Sequence, residues 1–195
     1  MNGFILASQS PRRKQLLAWA DLQFDVIVSS ADEDYPSDMP IQDVPVHIAK
    51  NKALAVQSKI DKELTAHQGK WIIAADTIVV LENEMIGKPI DRADAIAILQ
   101  KLSGKTHRVI TGVFLINGNE TRSFSETTLV HFHPLTDAQI QYYIDQYQPY
   151  DKAGAYGIQD WIGVVGIKGI EGDFYNVMGL PVSKLLGYLP TTTES

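Results

Sequence analysis

The sequence predicts a mixed α/β fold, a twisted central sheet flanked by helices and arranged as two lobes around a cleft. Three observations carry this expectation. Strand-length apolar runs and helical periodicities alternate through the first half of the chain. Residues 71–81, W-I-I-A-A-D-T-I-V-V-L, are the most apolar strand and therefore a central one. Residues 107–116 and 121–132 read as long alternating strands joined at Asn117-Gly118-Asn119, a hairpin signal. No repeat, low-complexity stretch or linker divides the 195 residues, so one domain spanning 1–195 is expected.

In chain order, residues 3–7 are an apolar strand and residues 11–20 a helix, with Ser10 as N-cap and Pro11 at the first helical position. Residues 24–28 form a second strand that enters the acidic loop 29–34. Residues 36–45 are polar and Pro-broken, a loop. Residues 46–60 then carry Ile48, Ala49, Ala53 and Val56 on one helical stripe, with Lys50, Lys52 and Lys59 elsewhere. Residues 61–70 are a surface loop. After the central strand comes a short turn at Asn83-Glu84, and Ile86-Gly87-Lys88-Pro89 returns the chain. Asp91 opens a helix with Ala93, Ile96, Ala97, Leu99 and Leu102 on its apolar face, and Ser103-Gly104 ends it. Thr136-Asp137 caps a helix through Tyr147 that carries Ile140, Tyr143, Ile144 and Tyr147. Residues 151–159 form a tight glycine-bearing loop. A strand at 164–170, a turn-rich connection at 172–179, a closing helix at 181–189 and a frayed end at 190–195 complete the chain.

Composition bounds the function. Hydrophobic residues make up 45% and charged residues 21%, the balance of a globular protein. A net charge of −6 argues against a general affinity for nucleic acid or anionic membrane, so any anion site is a local gathering of Lys and Arg. The absence of cysteine excludes disulfides and thiolate metal sites and suits a cytoplasmic location. No signal peptide or apolar run of membrane-spanning length is legible.

Several residue types then ask for an explanation. Arg12 and Arg13 sit in the first turn of a helix, where the macrodipole already favours anions. With Ser8, Ser10 and the free N–H groups of that turn they suit a phosphate, though an ordinary strand-to-helix turn with solvated arginines has the same residues. Asp76 and Thr77 interrupt an otherwise apolar strand. A carboxylate there is paired, metal-bound or acting as a base, the alternative being a cap or a bulge. Glu33 lies in a loop that could simply be solvated, and Lys52 on a helix face where most lysines only meet water. Lys88 follows a glycine that lets backbone approach a ligand. Taken together, Arg12, Arg13, Lys52 and Lys88 against Glu33 and Asp76 suit a divalent ion bridging carboxylates and phosphate oxygens, with a water activated for attack. His131-x-His133 offers either a two-histidine metal face or a surface pair. The P-loop, Rossmann and α/β-hydrolase signatures are absent.

Six segments in order resemble the Maf family: S-Q-S-P-R-R-K-Q-L-L at 8–17, A-A-D-T at 74–77, G-K-P at 87–89, L-S-G-K-T-H at 102–107, D-K-A-G-A-Y-G-I-Q at 151–159 and N-V-M-G-L-P at 176–181. The resemblance implies an inosine-triphosphatase-like α/β fold and a nucleoside triphosphate pyrophosphatase, a hydrolase that releases a nucleoside monophosphate and pyrophosphate with a divalent metal, Mg²⁺ or Mn²⁺. It makes Asp76 the proton acceptor, Glu33 and Asp76 the metal holders, and Ser8, Arg12, Arg13, Lys52 and Lys88 the triphosphate contacts. Arg12, Thr77 and Gln159 fall where the family sets base specificity. The A-Y-G-I-Q form looks like the branch acting on dTTP and UTP in a house-cleaning role. The rivals are a 7-methyl-GTP pyrophosphatase and a non-catalytic nucleotide-sensing regulator of cell division. A small-molecule nucleotide is the implied partner, without nucleic acid or membrane, and a homodimer is expected by resemblance alone.

Overall fold

A computed structural model of the chain describes residues 3–190. It is a mixed α/β protein with strands β1 (Phe4–Leu6), β2 (Phe24–Val26), β3 (Ile72–Leu81), β4 (Glu84–Ile86), β5 (Thr106–Asn117), β6 (Glu120–Phe132) and β7 (Ile167–Glu171), which run in the order β2-β1-β3-β5-β6-β7 with β4 paired to β3. The chain forms two compact units. One comprises the described residues through Asp76, Thr111–Glu126 and the segment from Gly179 onward; the other comprises Thr77–Ile110 and Thr127–Met178. Among the described residues no helix is long and apolar enough to cross a membrane. Most of the predicted 190–195 end lies outside the described residues, from 191 onward.

The first unit grows from β1 (Phe4–Leu6), which lies parallel to both β2 (Phe24–Val26) and the start of β3 (Ile72–Leu81), with Phe4 opposite Phe24 and Ile5 opposite Ile72. Between β1 and β2 runs α1 (Pro11–Trp19), with Ser10 as its N-cap and Pro11 in its first turn. The long helix α2 (Val44–Glu63) buries Ala49, Ala53, Val56 and Ile60 against Ile5, Ile72 and Ala74 of the sheet, and Ile48 is buried as well. A stripe of alanines brings that helix close, because small side chains leave little to separate it from the strands. Helix α2 starts two residues earlier than expected. Pro45 sits inside its first turn, where a missing N–H breaks no helical bond, so the proline extends the helix rather than ending the loop. Its C-terminal end also runs past residue 60, and a 3-10 turn over Thr65–His67 follows within the expected surface loop. The hairpin end between β5 (Thr106–Asn117) and β6 (Glu120–Phe132) turns at Gly118, whose φ is 57°. Arg122 Nη1 donates to the Tyr188 carbonyl at 2.7 Å and Lys184 Nζ to the Ser125 carbonyl at 2.9 Å, which fastens α7 (Val182–Leu186) onto β6.

In the second unit the rest of β3 folds back on β4 (Glu84–Ile86), with Val79 opposite Ile86. Helix α3 (Arg92–Leu102) is capped by Asp91, whose side chain accepts from the Asp94 N–H at 2.8 Å. Helix α4 (Asp137–Tyr147) opens on a Thr136–Gln139 capping box. Strand β7 (Ile167–Glu171) pairs antiparallel with β6, and a bulge falls between His131 and Phe132.

Several expectations need correction here. The buried stripe of α3 is Ala95, Leu99 and Leu102; Ala93 and Ala97 are exposed and Ile96 half-buried. Asp94, Gln100 and Lys101 flank Ala93 and Ala97 on the helix surface and keep that side in water, so Ala95, Leu99 and Leu102 on the opposite side pack. Strand β5 does not alternate, since Val109 to Ile116 are buried without interruption, as a strand covered on both faces requires. The expected strand at 164–170 begins as helix α5 (Trp161–Gly166), and only Ile167–Glu171 is extended. Its β-branched valines suggest a strand, but Gly163 meets the backbone at Ile158, where a Cβ would lie 1.8 Å from the carbonyl oxygen. The turn-rich 172–179 connection contains helix α6 (Phe174–Met178), tied down by the buried Asn176 amide, which donates to the Val109 carbonyl and to Thr128 Oγ1, both at 3.0 Å. The closing helix is the shorter α7.

Candidate active site

In the first unit the polyanion-like loop after β1 is built by Ser8. Its Oγ accepts from the Ser10 N–H at 3.2 Å and from Arg13 Nη1 at 3.1 Å. Both lone pairs are thereby engaged, which leaves the hydroxyl proton as a donor. Arg13 is buried, and its Nε donates to the Gly179 carbonyl at 2.8 Å. Two of its donors are thus spent on the protein. Burial lowers its pKa, the negative field of Asp76 opposes that shift most strongly, Arg12 adds to it, and Glu33 opposes it. Arg12, Arg13, Glu33 and Asp76 therefore share one electrostatic neighbourhood. Arg12 itself is half-buried.

Lys52 is the centre of that neighbourhood. Its Nζ donates to Asp76 Oδ1 at 2.7 Å and lies 2.8 Å from Glu33 Oε1. The helix supplies the lysine and the apolar strand the aspartate. The acidic loop is held onto α2 beside them by two further bonds: Lys59 Nζ to the Val28 carbonyl at 3.1 Å and Asn51 Nδ2 to the Asp32 carbonyl at 3.4 Å. Asn51 was not singled out from the sequence, and Lys59 was noted only as a lysine off the buried stripe. Yet Lys52 and Lys59 stand seven residues apart on one side of the helix, and that spacing was available. The side chains of Lys52 and Asp76 are largely withdrawn from water, while that of Glu33 is open to it.

Thr77, Lys88 and Gln159 belong to the second unit. Lys88 is exposed on the turn after β4, and the Gly87 carbonyl accepts from the Gly154 N–H at 3.0 Å, so the G-K-P turn and the 151–159 loop are hydrogen-bonded to each other. Gly154 and Ala155 both take positive φ, 73° and 57°, which makes that loop a tight one. Gln159 is exposed and donates to Asp160 Oδ1 at 3.1 Å. Asp160 and Tyr143 were missed as site residues; both sit against Gln159 and its loop, Tyr143 through the Gly157 N–H at 3.0 Å. The His131 ring is engaged by Thr106 Oγ1 at 2.7 Å and Glu171 Oε1 at 3.1 Å, the arrangement of a surface histidine with protein partners.

Within the first unit Lys52 of α2 joins Asp76 of mid-β3 to Glu33 of the acidic loop, and Arg13 holds Ser8 within the field of both carboxylates, a combination of cations, carboxylates and a hydroxyl that suits hydrolysis of a phosphate compound. The chain belongs to the Maf family: the family model described as "Maf-like protein" matches residues 3–192. Among similar proteins, the dTTP/UTP pyrophosphatase of Porphyromonas gingivalis W83 is 46% identical over 192 residues, 98% of this chain and 94% of that one. The dTTP/UTP pyrophosphatase of Cytophaga hutchinsonii is 49% identical over 185 residues, covering 95% of this chain and 82% of that one. That of Bacteroides thetaiotaomicron is 45% identical over 186 residues, covering 95% and 93%. The solved Ham1 protein of Staphylococcus aureus is similar at a TM-score of 0.43 and 15% identity, over 67% of this chain and 71% of that one, too distant a likeness to bear on the site.

Proposed function

We propose that this chain is a nucleoside triphosphate pyrophosphatase that hydrolyses dTTP and UTP to the monophosphate and pyrophosphate. The observation that carries the chemistry is Lys52 held between Asp76 and Glu33. Relatives 45–49% identical over nearly the whole chain bear the name dTTP/UTP pyrophosphatase, which supports the substrate class.

Two carboxylate oxygens converging on one positive centre, at 2.7 and 2.8 Å, form a donor set that a hard divalent cation takes alongside retained waters, so Glu33 and Asp76 fit Mg²⁺ or Mn²⁺ and would hold it. When bound, such an ion neutralises phosphate charge and acidifies a water. Asp76 takes the proton of the attacking water as its oxygen bonds to the α-phosphorus. The bond from that phosphorus to the bridging oxygen breaks, and pyrophosphate leaves with the electron pair. Lys52, Lys88 and Arg12 hold the charge that grows on the leaving group. The Ser8 hydroxyl donates to a phosphate oxygen, and Arg13 keeps it aimed while adding its own charge. Thr77, Gln159 and Arg12 read the base, Gln159 through an amide that offers one donor and one acceptor edge. The cysteine-free composition favours a cytoplasmic setting.

Pyrophosphate release from dTTP, UTP, CTP, 7-methyl-GTP and ITP, with Mg²⁺ or Mn²⁺, tests this reading. Expected is turnover of dTTP and UTP that falls by about 10²–10⁴ in Asp76→Asn without loss of fold. Preference for 7-methyl-GTP would replace the base assignment, and wild-type kcat in Asp76→Asn would remove Asp76 from the chemistry.

A further inference from the structure

The hydrogen bonds around Gln159 have a fixed direction. The Gly157 N–H donates to the Tyr143 hydroxyl at 3.0 Å, and that hydroxyl lies 2.8 Å from Asp160 Oδ2. A backbone N–H only donates, so the phenol accepts there and sends its own proton to Asp160. Burial, and then the bond to Asp160, hold the Tyr143 pKa well above its ordinary value, which keeps that proton in place. Asp160 Oδ1 in turn faces Gln159 Nε2 at 3.1 Å. A carboxylate offers only acceptors, so the amide meets it with nitrogen and leaves its oxygen on the other side. The arrangement needs a residue without a side chain beside it. A Cβ at Gly157 would lie 2.5 Å from Asp160 Oδ2 and 2.8 Å from Gln159 Nε2.

Polarity matters because an unrestrained glutamine amide cannot tell uracil from cytosine. Uracil and thymine present a carbonyl acceptor beside an N–H donor. Cytosine presents an amino donor beside a ring-nitrogen acceptor, the reverse order. An amide free to rotate end for end satisfies either. We propose that Asp160 is a specificity-determining positioning residue: held by Tyr143, it pins the polarity of the Gln159 amide so that the chain reads uracil and thymine and rejects cytosine. This rests on Gln159 being the base contact of the proposed pyrophosphatase.

The test is kcat/KM for UTP and for CTP in wild type and Asp160→Asn, with melting temperatures measured alongside. In the variant, Tyr143 still donates to the asparagine oxygen and turns its NH₂ group toward Gln159. The glutamine must then answer with oxygen, and its outward polarity reverses. The UTP/CTP ratio is expected to fall by about tenfold or more, with CTP turnover rising, a pattern that a general loosening of the fold does not produce because it lowers both substrates together. Should Asp160→Asn not fold, Tyr143→Phe leaves Asp160 in place without its grip and lowers the ratio partway. An unchanged ratio in the variant that folds, with wild-type UTP turnover intact, overturns the role of Asp160 and leaves the proposed reaction standing. A wild type that does not favour UTP over CTP overturns the base assignment together with the role of Asp160, and one that releases no pyrophosphate from any of these nucleotides overturns the proposed reaction.

Discussion

Replacing Lys52 by methionine removes the charge in direct contact with both Asp76 and Glu33 while keeping the apolar stem, so the loss is electrostatic and not one of packing. A unit pair at 4 Å is worth about 4 kcal/mol at an effective dielectric of about 20, before desolvation is subtracted, and the two contacts here are 2.7 and 2.8 Å. The Glu33 side chain is 58% exposed, so its share is small, whereas Lys52 and Asp76 are 20% and 16% exposed. Breaking an exposed pair costs up to about 1 kcal/mol and a fully buried one about 3–5 kcal/mol, which places this one near 2 kcal/mol. In a chain of this size that lowers Tm by about 4–8 °C. Thermal melting in a chelating buffer reads the effect. Added Mg²⁺ should then raise the Tm of the variant more than that of wild type, because the ion no longer competes with the Lys52 ammonium for the same two carboxylate oxygens. Pyrophosphate release from UTP should fall by about 10²-fold with the loss of a cation at the leaving group. A variant that melts within about 1 °C of wild type in chelator refutes the strength assigned to the cluster. Equal Mg²⁺ shifts refute the assignment of Glu33 and Asp76 as the residues that hold the ion.

Three further outcomes follow from other contacts. Arg13→Lys keeps the charge but loses the fork that spans the Gly179 carbonyl and Ser8, so stability should drop by about 2 kcal/mol, read as a lower denaturant midpoint; an unchanged midpoint would mean the fork is idle. His107 is buried against Tyr156, with its pKa pushed down from 6.5 to about 4 by burial and then by His131, so the folded protein binds fewer protons than the unfolded chain between those values. Its contribution is complete above pH 6.5 and is lost as pH falls toward 4, a total of about 3 kcal/mol, and His107→Gln should flatten that part of the acid-stability profile; a profile as steep as wild type would assign the loss to other groups. Gly163→Ala should cost about 3 kcal/mol or more, seen as poor soluble yield or a much lower Tm, because the new Cβ falls 1.8 Å from a carbonyl oxygen; a wild-type melting curve would show that α5 shifts freely.

What the sequence made legible was whatever depends on neighbours along the chain. Ser10 and Pro11, Asp91, and Thr136 with Asp137 each mark a helix start through groups within four residues, and each is found there. Where tertiary contacts decide, the local signal misleads. The buried stripe of α3 is Ala95, Leu99 and Leu102, because Ala93 and Ala97 share their side with Asp94, Gln100 and Lys101, and two small apolar residues do not outweigh three polar ones. Helix α5 contains Val164 and Val165 against their β-propensity, since the backbone of Ile158 lies too close to Gly163 for any other residue at that place. The short α6 rests on Asn176, whose amide reaches residues 67 and 48 positions away, beyond the reach of any window.

The site divides along the same line. Asp76 was legible because a carboxylate in an apolar strand needs a reason, and its reason is Lys52 at 2.7 Å. Lys52 was legible only through the family resemblance, since nothing in its own helix distinguishes it from Lys50 or Lys59. Arg13 reads from sequence as a ligand-facing cation, yet the structure spends two of its donors on Ser8 and Gly179, so the arginine pair at one helix start divides its work: Arg13 builds the loop beneath, and Arg12 carries charge beside it. Asp160 had no signal at all. It follows Gln159 immediately, and adjacency in sequence says nothing of which way an amide faces; only the Tyr143 hydroxyl, brought from α4, gives that carboxylate a fixed direction. A residue that touches substrate can be recognised by type, but one that orients another is recognised by the partner it borrows from elsewhere in the fold.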